Sequence, residues 1–158
     1  YVFSQPAKPA GSIGELAPDF QLQVVTAQGL ADEEVRLSSF RGKVVVLEFM
    51  VSWCHVCQQM APSIAYLEQQ YRGQDVVFLS VAATQGGASA ESTATFIRDN
   101  GVTWTHVLDS DNSVFSRYGV GATPTYYVID RSGRIFTKFQ GLVATDAISD
   151  AVNVALSS

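Results

Sequence analysis

Cysteine and histidine are scarce in this 158-residue sequence, which contains two of each. A tetrahedral zinc site takes about four nitrogen or sulfur ligands, and His106 lies far along the chain from Cys54, His55 and Cys57. We therefore expect no metal site. A structural disulfide between Cys54 and Cys57 would close so short a loop that it would constrain the unfolded chain little. That disulfide and an inert, reduced pair are the weaker alternatives to redox chemistry.

Charge of either sign and long apolar runs are also limited. Charged residues make up 16% of the chain, the net charge is −5, and basic residues form no run, which excludes an electrostatic footprint for nucleic acid. No apolar stretch approaches the ~20 residues of a membrane-spanning helix. The sequence also shows no internal repeat and no low-complexity block.

The remaining composition is that of one globular domain, because apolar residues make up 47% of a chain long enough to bury a core. We place this domain at residues 15–158. Residues 1–14 are rich in proline and glycine, which predicts a flexible arm or the remnant of a tether. The first residue is Tyr1 rather than Met, so we expect that a signal peptide or membrane anchor has been removed.

The two cysteines lie where an apolar, β-branched run over residues 44–51 gives way to apolar residues at three- and four-residue spacing. This change of period predicts a buried strand followed by a helix over about residues 55–72. Cys54 would then lie at the helix N-terminus, where unpaired N–H groups and the helix dipole favour a thiolate. Cys57 would lie one turn further on. An exposed thiolate with a sheltered partner behind it suits thiol–disulfide exchange.

Three neighbours of the cysteines are further candidate site residues. Glu48 is a carboxylate in an otherwise apolar strand, so we expect burial to raise its pKa and allow it to accept the proton of Cys57. The alternative is that it reaches a solvated edge or pairs with Arg41 or Lys43. Trp53 is expected either to form apolar substrate surface or to pack only. His55 either favours the thiolate or is an ordinary surface histidine.

Periodicity over the rest of the chain predicts an α/β fold. Residues 20–37 suggest a β-hairpin with a polar, turn-like stretch at 27–34, and residues 76–81 a second buried strand. A helix over 90–100, short strands near 107–108 and 126–129, a hairpin ending at 135–139 and a last amphipathic helix follow. We therefore predict a mixed central sheet flanked by helices.

Several motifs occur in one order: the segment 14–20, the segment 37–46, the sequence Trp-Cys-His-Val-Cys at 53–57, Gly-Val-Gly-Ala-Thr-Pro-Thr at 119–125, Ile-Asp-Arg-Ser-Gly at 129–133, and Gly141. Together they resemble the thioredoxin superfamily, and more narrowly its extracytoplasmic, usually membrane-tethered TlpA/ResA-like branch. The resemblance implies a thioredoxin fold with an N-terminal β-hairpin and a central βα insertion. His55-Val56 departs from the more usual dipeptides, so the reduction potential stays open.

The resemblance also implies roles for individual residues. Cys54 would attack and Cys57 would resolve the mixed disulfide. The Thr123-Pro124 bond would be cis and pack beside the cysteines, with the Thr123 backbone offering hydrogen bonds to a bound polypeptide. Glu48 falls where thioredoxins carry a buried acid.

The most favoured function is thiol–disulfide exchange outside the cytoplasm without a cofactor, since the Cys54–Cys57 disulfide is itself the redox group. Expected partners are cysteine-containing proteins, with apocytochrome c as one possibility, and a membrane or soluble thiol electron donor. We expect a monomer that meets the membrane only through a removed anchor. One alternative is a thiol peroxidase, although residues 50–53 do not supply the Pro-x-x-x-Thr-x-x-Cys pocket. The other is a non-catalytic peptide-binding module.

Overall fold

The computed structural model describes residues 11–158, in which a seven-stranded sheet is flanked by four α-helices. The strands are β1 (Gln21–Thr26), β2 (Gly29–Arg36), β3 (Val44–Met50), β4 (Val76–Ala83), β5 (Thr105–Asp109), β6 (Thr125–Ile129) and β7 (Ile135–Gln140). The helices are α1 (His55–Gln70), α2 (Ala90–Asp99), α3 (Ser113–Tyr118) and α4 (Thr145–Ser157), with a short 3₁₀ helix at Leu37–Phe40. This architecture confirms the predicted mixed sheet and its N-terminal hairpin.

The strand order is β2-β1-β5-β4-β3-β6-β7, which places β3 well inside the sheet. β3 pairs in parallel with β4 and antiparallel with β6, and every one of its residues is buried. A strand covered on both faces is expected to be almost entirely apolar, as β3 is apart from Glu48. The chain leaves the end of β3 directly into the turn that carries Cys54.

Strand register places four polar or titratable side chains in one row across the sheet. Glu48 on β3 lies opposite Tyr126 on β6 and Ser80 on β4, and Ser80 lies opposite His106 on β5. Directly opposed residues point to the same face of a sheet. All four residues are buried. We call Tyr126, Glu48, Ser80 and His106 the polar row.

The neighbouring residue in β3, Phe49, points to the other face, where it joins an aromatic cluster. Its ring lies 5.0 Å from Phe115, 4.8 Å from Tyr118 and 5.7 Å from Tyr127, measured between centroids. Phe115 and Tyr118 belong to α3. The sheet therefore separates an aromatic layer beneath α3 from the polar row on its opposite face.

Helix α1 forms where the apolar period predicted it. Its buried side is the three- and four-residue series Cys57, Met60, Ala61, Ile64 and Leu67. Pro62 lies inside the helix, which continues to Gln70. Tyr71, just beyond the helix, donates its hydroxyl to the Ser149 carbonyl (3.2 Å) and to Asn153 Oδ1 (2.7 Å) and so joins α1 to α4.

One predicted element is wrong in extent. The polar stretch 27–34 suggested a turn, but the turn occupies residues 27 and 28 only, and β2 begins at Gly29. β2 lies at the edge of the sheet, and its residues Asp32, Glu33 and Glu34 are exposed. β2 packs against the core only through the half-buried side chains of Ala31 and Val35, so the apolar alternation that marks buried strands is weak over residues 29–34.

Most of the predicted arm, residues 1–10, lies outside the described residues. Gly14 donates its N–H to the Ile135 carbonyl (2.8 Å), and Ile135 donates to the Glu15 carbonyl (2.9 Å), so the chain already contacts the start of β7 there. The division into an arm over 1–14 and a domain over 15–158 stays a prediction. Within residues 11–158, no helix is both long and apolar enough to cross a bilayer.

Candidate active site

Cys54 is the N-cap residue of α1, as the sequence predicted. Its backbone is extended (φ −78°, ψ 114°), and its Sγ accepts a hydrogen bond from the Cys57 N–H at 3.2 Å. Both cysteines are free thiols. This hydrogen bond satisfies one of the N–H groups that have no partner within the helix.

The two sulfurs differ in accessibility, although less than expected. Cys54 is 7% exposed and Cys57 is 1% exposed, so the prediction of an exposed Cys54 is wrong in degree. The reason is a loop from elsewhere in the chain, since the Cys54 thiol donates to the Thr123 carbonyl at 3.6 Å. Burial raises the pKa of the Cys57 thiol well above its ordinary value, and the negative charge of Glu48 raises it further.

The loop beside Cys54 contains the Thr123-Pro124 peptide bond, which is cis, as the family resemblance implied. Pro124 is buried, and its carbonyl accepts a hydrogen bond from the Gly141 N–H at 2.9 Å. The Thr125 hydroxyl donates to the Ala122 carbonyl at 2.7 Å. These bonds hold the loop at the start of β6 in place against the cysteine turn.

Glu48 is 5% exposed and accepts two hydrogen bonds from side chains of the neighbouring strands. The Ser80 hydroxyl donates to Oε1 at 2.6 Å, and the Tyr126 hydroxyl donates to Oε2 at 3.0 Å. The alternative in which Glu48 meets solvent or pairs with Arg41 or Lys43 is therefore wrong. Burial raises the pKa of Glu48 to about 7, against the opposing effect of the two hydrogen bonds.

Sequence reasoning missed the residues that surround Glu48. Ser80 lies within the apolar strand predicted over residues 76–81 and Tyr126 within the one predicted near 126–129, and periodicity gives neither residue a functional role. Trp104, which was not singled out, donates its indole N–H to Ser80 Oγ at 2.8 Å. The available signal was weak: Ser80 is the one hydroxyl residue in the run 76–83. Only strand register reveals that it lies opposite Glu48.

The loop over residues 84–89 holds Trp53, whose side chain is 58% exposed. The indole N–H donates to the Gln85 carbonyl at 3.0 Å. Gly86 has φ +60°, and a Cβ at this position would come within 3.0 Å of the indole ring. The loop therefore requires glycine both for its backbone conformation and for its close approach to Trp53.

Two further contacts define the surroundings of the turn. Ser52, two residues before Cys54, shares a hydrogen bond of 2.6 Å with Ser92 of α2, which ties the cysteine turn to that helix. His55 is the first residue of α1 and is exposed beside the first cysteine. The turn thus presents one fixed indole and one solvated imidazole around a nearly buried sulfur.

A groove of about 170 Å³ lies between Trp53 and the proline loop. It is lined by Val51, Trp53, Ala83, Gln85, Phe115, Val120, Gly121, Ala122 and Thr123. None of these side chains is charged, and most are apolar. The groove can therefore take an uncharged side chain of a polypeptide that runs past Cys54.

Metal binding receives no support from the described residues, among which no group of three or more histidine, cysteine or acidic side chains could hold an ion.

The segment at residues 17–20 anchors the chain before β1 to the rest of the domain. Asp19 accepts hydrogen bonds from the Ser38 N–H (2.9 Å) and from the Ser38 hydroxyl (2.8 Å), and Tyr118 donates to the Pro18 carbonyl (2.6 Å). These hydrogen bonds join the segment before β1 to the short 3₁₀ helix and to α3.

Comparison with known proteins agrees with this geometry. Residues 13–137 match the AhpC/TSA family. The chain is 33% identical over 141 residues to the thiol-disulfide oxidoreductase ResA of Geobacillus thermodenitrificans, a match that covers 89% of this chain and 76% of the relative.

Two solved structures share the fold. One is a protein from Chlorobium tepidum assigned as thiol:disulfide interchange protein DsbE, with a TM-score of 0.81, 26% identity and coverage of 92% of this chain and 98% of that one. The other is the exposed lipoprotein thioredoxin Etrx1 of Streptococcus pneumoniae, with a TM-score of 0.72, 27% identity and coverage of 87% and 99%. The family match includes both the cysteine turn and the proline loop. The chain therefore belongs to the AhpC/TSA family and is a thiol–disulfide oxidoreductase similar to ResA.

Proposed function

We propose that Cys54 is the attacking cysteine and Cys57 the resolving one in exchange with disulfides of protein substrates. The observation that carries this assignment is the position of Cys54 Sγ, between the Cys57 N–H at 3.2 Å and the Thr123 carbonyl at 3.6 Å. Cys57 is less exposed than Cys54, and its pKa is higher than that of an ordinary cysteine thiol. A substrate disulfide therefore meets Cys54 first, and Cys57 reacts only within the mixed disulfide.

The reaction balances as a two-electron exchange. The Cys54 thiolate attacks one sulfur of the substrate disulfide, so that a mixed disulfide forms and the other substrate sulfur leaves as a thiolate. The Cys57 thiolate then attacks Cys54 Sγ, which forms the Cys54–Cys57 disulfide and releases the second substrate sulfur. The substrate gains two electrons and takes up two protons, one for each released thiolate, and the enzyme dithiol is oxidised. The same steps in reverse oxidise a substrate dithiol.

Glu48 accepts the Cys57 proton in this scheme, directly or through a water. Burial makes a spontaneous thiolate at Cys57 rare, and a carboxylate with a pKa of about 7 is matched to proton transfer near neutral pH. The negative charge of Glu48 acts on the Cys57 thiol, whose pKa it raises. A second proton transfer to solvent restores the carboxylate.

The substrate polypeptide binds beside the cysteines in the groove that Trp53 and Thr123 line. Thr123 belongs to the loop before β6, so its backbone can continue strand-like hydrogen bonding to an extended substrate. Pro124, which has no N–H, packs behind it. Trp53 supplies apolar surface for the residues that flank the substrate cysteine, and His55 contacts substrate at the exposed side of the turn.

Trapping of the mixed disulfide tests the assignment of the two cysteines. The reduced Cys57→Ser variant should accumulate a covalent complex with a peptide disulfide, and the Cys54→Ser variant should not, as measured by non-reducing electrophoresis and mass spectrometry. Alkylation of the reduced wild-type protein should modify Cys54 before Cys57. Equal alkylation rates, or trapping by the Cys54→Ser variant, would refute the assignment.

For location and partners we propose an extracytoplasmic protein that is membrane-anchored in its full-length form and monomeric. The support is the likeness to a relative described as an exposed lipoprotein. The cysteines of c-type haem attachment sites in apocytochrome c are one substrate class, and a membrane or soluble thiol is the electron donor. Fractionation of cells that express the full-length protein tests the location, and light scattering tests the oligomeric state.

The direction of net electron flow follows from the reduction potential, which equilibration with glutathione measures. A value near about −270 mV would make the protein a reductant of substrate disulfides, and one near about −120 mV an oxidant. No cofactor takes part in the proposed cycle, since the two sulfurs store both electrons. The competing functions predict other outcomes: a peptide-binding module keeps its activity in a variant without cysteines, and a thiol peroxidase reduces peroxide at Cys54.

A further inference from the structure

Trp104 lies in the connection between α2 and β5, outside the cysteine turn, the proline loop and the groove. It is 9% exposed, its indole N–H donates to Ser80 Oγ at 2.8 Å, and the Ser80 hydroxyl donates to Glu48 Oε1 at 2.6 Å. We infer that Trp104, acting through Ser80, is a positioning residue. It orients the Ser80 hydroxyl so that this group donates a hydrogen bond to Glu48 and favours the ionised carboxylate.

The direction of this chain follows from the chemistry of its members. An indole N–H can only donate, a carboxylate can only accept, and a hydroxyl has one proton and two lone pairs. When Trp104 occupies a lone pair of Ser80, the single Ser80 proton stays free to point at Glu48. The indole, which can only donate, therefore sets the direction of both hydrogen bonds, from Trp104 to Ser80 and from Ser80 to Glu48.

Without the indole, the Ser80 hydroxyl can rotate toward other acceptors. His106 lies opposite Ser80 on β5, and the unprotonated nitrogen of its neutral ring is one acceptor that could take the proton. A hydrogen bond to a charged acceptor is stronger than one to a neutral acceptor, so its loss disfavours the carboxylate of Glu48. The inference rests on the proposed role of Glu48 for its catalytic consequence, which is slower deprotonation of Cys57.

The other groups around Glu48 cannot replace this contact. On β6, Tyr126 already donates to the second carboxylate oxygen. At the start of α1, the thiols of Cys54 and Cys57 lie nearby and bring no positive charge. Burial lowers the pKa of His106 to about 4, so the imidazole is neutral at the pH values of the test. Among residues 11–158, none of the ion pairs involves Glu48.

The test is a titration of Glu48 in the reduced, full-length chain, followed through the ¹³C signal of its carboxyl carbon. Trp104→Phe keeps an aromatic ring and removes the donor, and should move the Glu48 midpoint upward by about half a pH unit. Ser80→Ala removes the donor that contacts the carboxylate, and should move the midpoint upward by about one unit. The pH midpoint of mixed-disulfide resolution should move by the same amounts.

Two controls separate positioning from packing. Phe96→Leu alters the ring on α2 that lies 6.0 Å from the His106 ring, and it disturbs the same part of the core without removing a hydrogen bond to the chain. It should lower stability and leave the Glu48 midpoint unchanged. In the Ser80→Ala background, Trp104→Phe should have no further effect on the midpoint, because its path to Glu48 is already cut.

An unchanged Glu48 midpoint in Trp104→Phe would overturn the inference. If that variant does not fold, Ser80→Ala decides, and an unchanged midpoint there has the same consequence. A shifted midpoint together with an unshifted pH profile of resolution supports the positioning by Trp104 and instead refutes Glu48 as the proton acceptor. The two measurements thus distinguish failure of the inference from failure of the proposed mechanism.

Discussion

The polar row buries Glu48 on β3 and His106 on β5, and the surroundings of these two titratable side chains differ. Glu48, beneath the start of α1, receives hydrogen bonds from Ser80 and Tyr126. His106, beneath α2, packs between the rings of Phe96 and Trp104 at 6.0 and 5.6 Å, and within residues 11–158 neither ring nitrogen has a hydrogen-bond partner of ordinary geometry. Burial is nearly equal at the two sites.

The difference shows that burial alone does not make a group useful for proton transfer. Burial favours the neutral form of both residues, which raises the pKa of Glu48 to about 7 and lowers the pKa of His106 to about 4. Donors aimed at the carboxylate limit its shift, so Glu48 changes charge near neutral pH. A contact with the Trp104 backbone opposes the lowering of the His106 pKa without cancelling it, and the ring stays neutral. The first group can take part in chemistry, and the second acts as a core aromatic.

The largest expected effect separates the two residues by activity. Glu48→Gln removes the proposed proton acceptor and should slow resolution of the mixed disulfide about 100-fold or more at pH 8, where Glu48 is mostly ionised, because general base catalysis contributes roughly 10²–10⁴-fold. His106→Leu should change the rate less than about twofold. Rapid-quench measurement of substrate release gives both numbers, and comparable losses in the two variants would erase the distinction.

A second effect is on stability at rising pH. The pKa of Glu48 is about 7 in the folded protein and 4.5 in its ordinary range, so the folded state holds more protons between these values. The contribution of Glu48 to stability is therefore complete below about pH 4.5 and falls as the pH rises to 7, by about 3 kcal/mol. Glu48→Gln should remove this contribution, so that chemical denaturation at several pH values shows a variant that becomes more stable, relative to the wild-type protein, as the pH rises. A constant difference between the two proteins at all pH values would mean that Glu48 does not titrate in this range.

His106 should produce a change of similar size and opposite sign. Its pKa falls from 6.5 to about 4 on folding, so the unfolded chain binds the extra proton and stability is lost as the pH falls from about 6.5 to 4. The two effects nearly cancel in the wild-type protein between pH 4.5 and 6.5. His106→Leu should leave only the Glu48 effect, seen as stability that increases steadily toward pH 4.5. A flat profile in that variant would contradict the buried neutral ring.

The smallest effect concerns the second donor to Glu48. Tyr126→Phe removes the hydroxyl from Oε2 and should raise the Glu48 midpoint by about one pH unit or less, which slows resolution a few-fold at pH 7. Tyr127→Phe is the matched control, because the Tyr127 hydroxyl donates to the Tyr118 carbonyl on the other face. Carboxyl-carbon titrations of both variants give the comparison, and equal midpoints would argue that Tyr126 does not support Glu48.

Much of the active site was predictable because its signals are local. The change from a β-branched run to helical spacing at Cys54 placed both cysteines correctly, and a single carboxylate in an apolar strand singled out Glu48. The sequence did not predict the first part of β2, because this edge strand is only half-buried at Ala31 and Val35 and carries little apolar alternation. The cis bond before Pro124 came from the family resemblance, since most X–Pro bonds are trans and the neighbouring residues do not overturn that preference.

The sequence by itself determined which residues are the candidates for the chemistry: a cysteine pair at a helix start and an acid in a strand, each recognisable within a few residues of its neighbours. Only the tertiary structure decided what surrounds them. Ser80 is 32 residues from Glu48 and Tyr126 is 78 residues away, and both reach the carboxylate because β3 pairs with β4 and β6 in one particular register. A shift of one residue would turn each side chain to the other face of the sheet, so the proton chemistry of Glu48 depends on strand pairing rather than on local pattern.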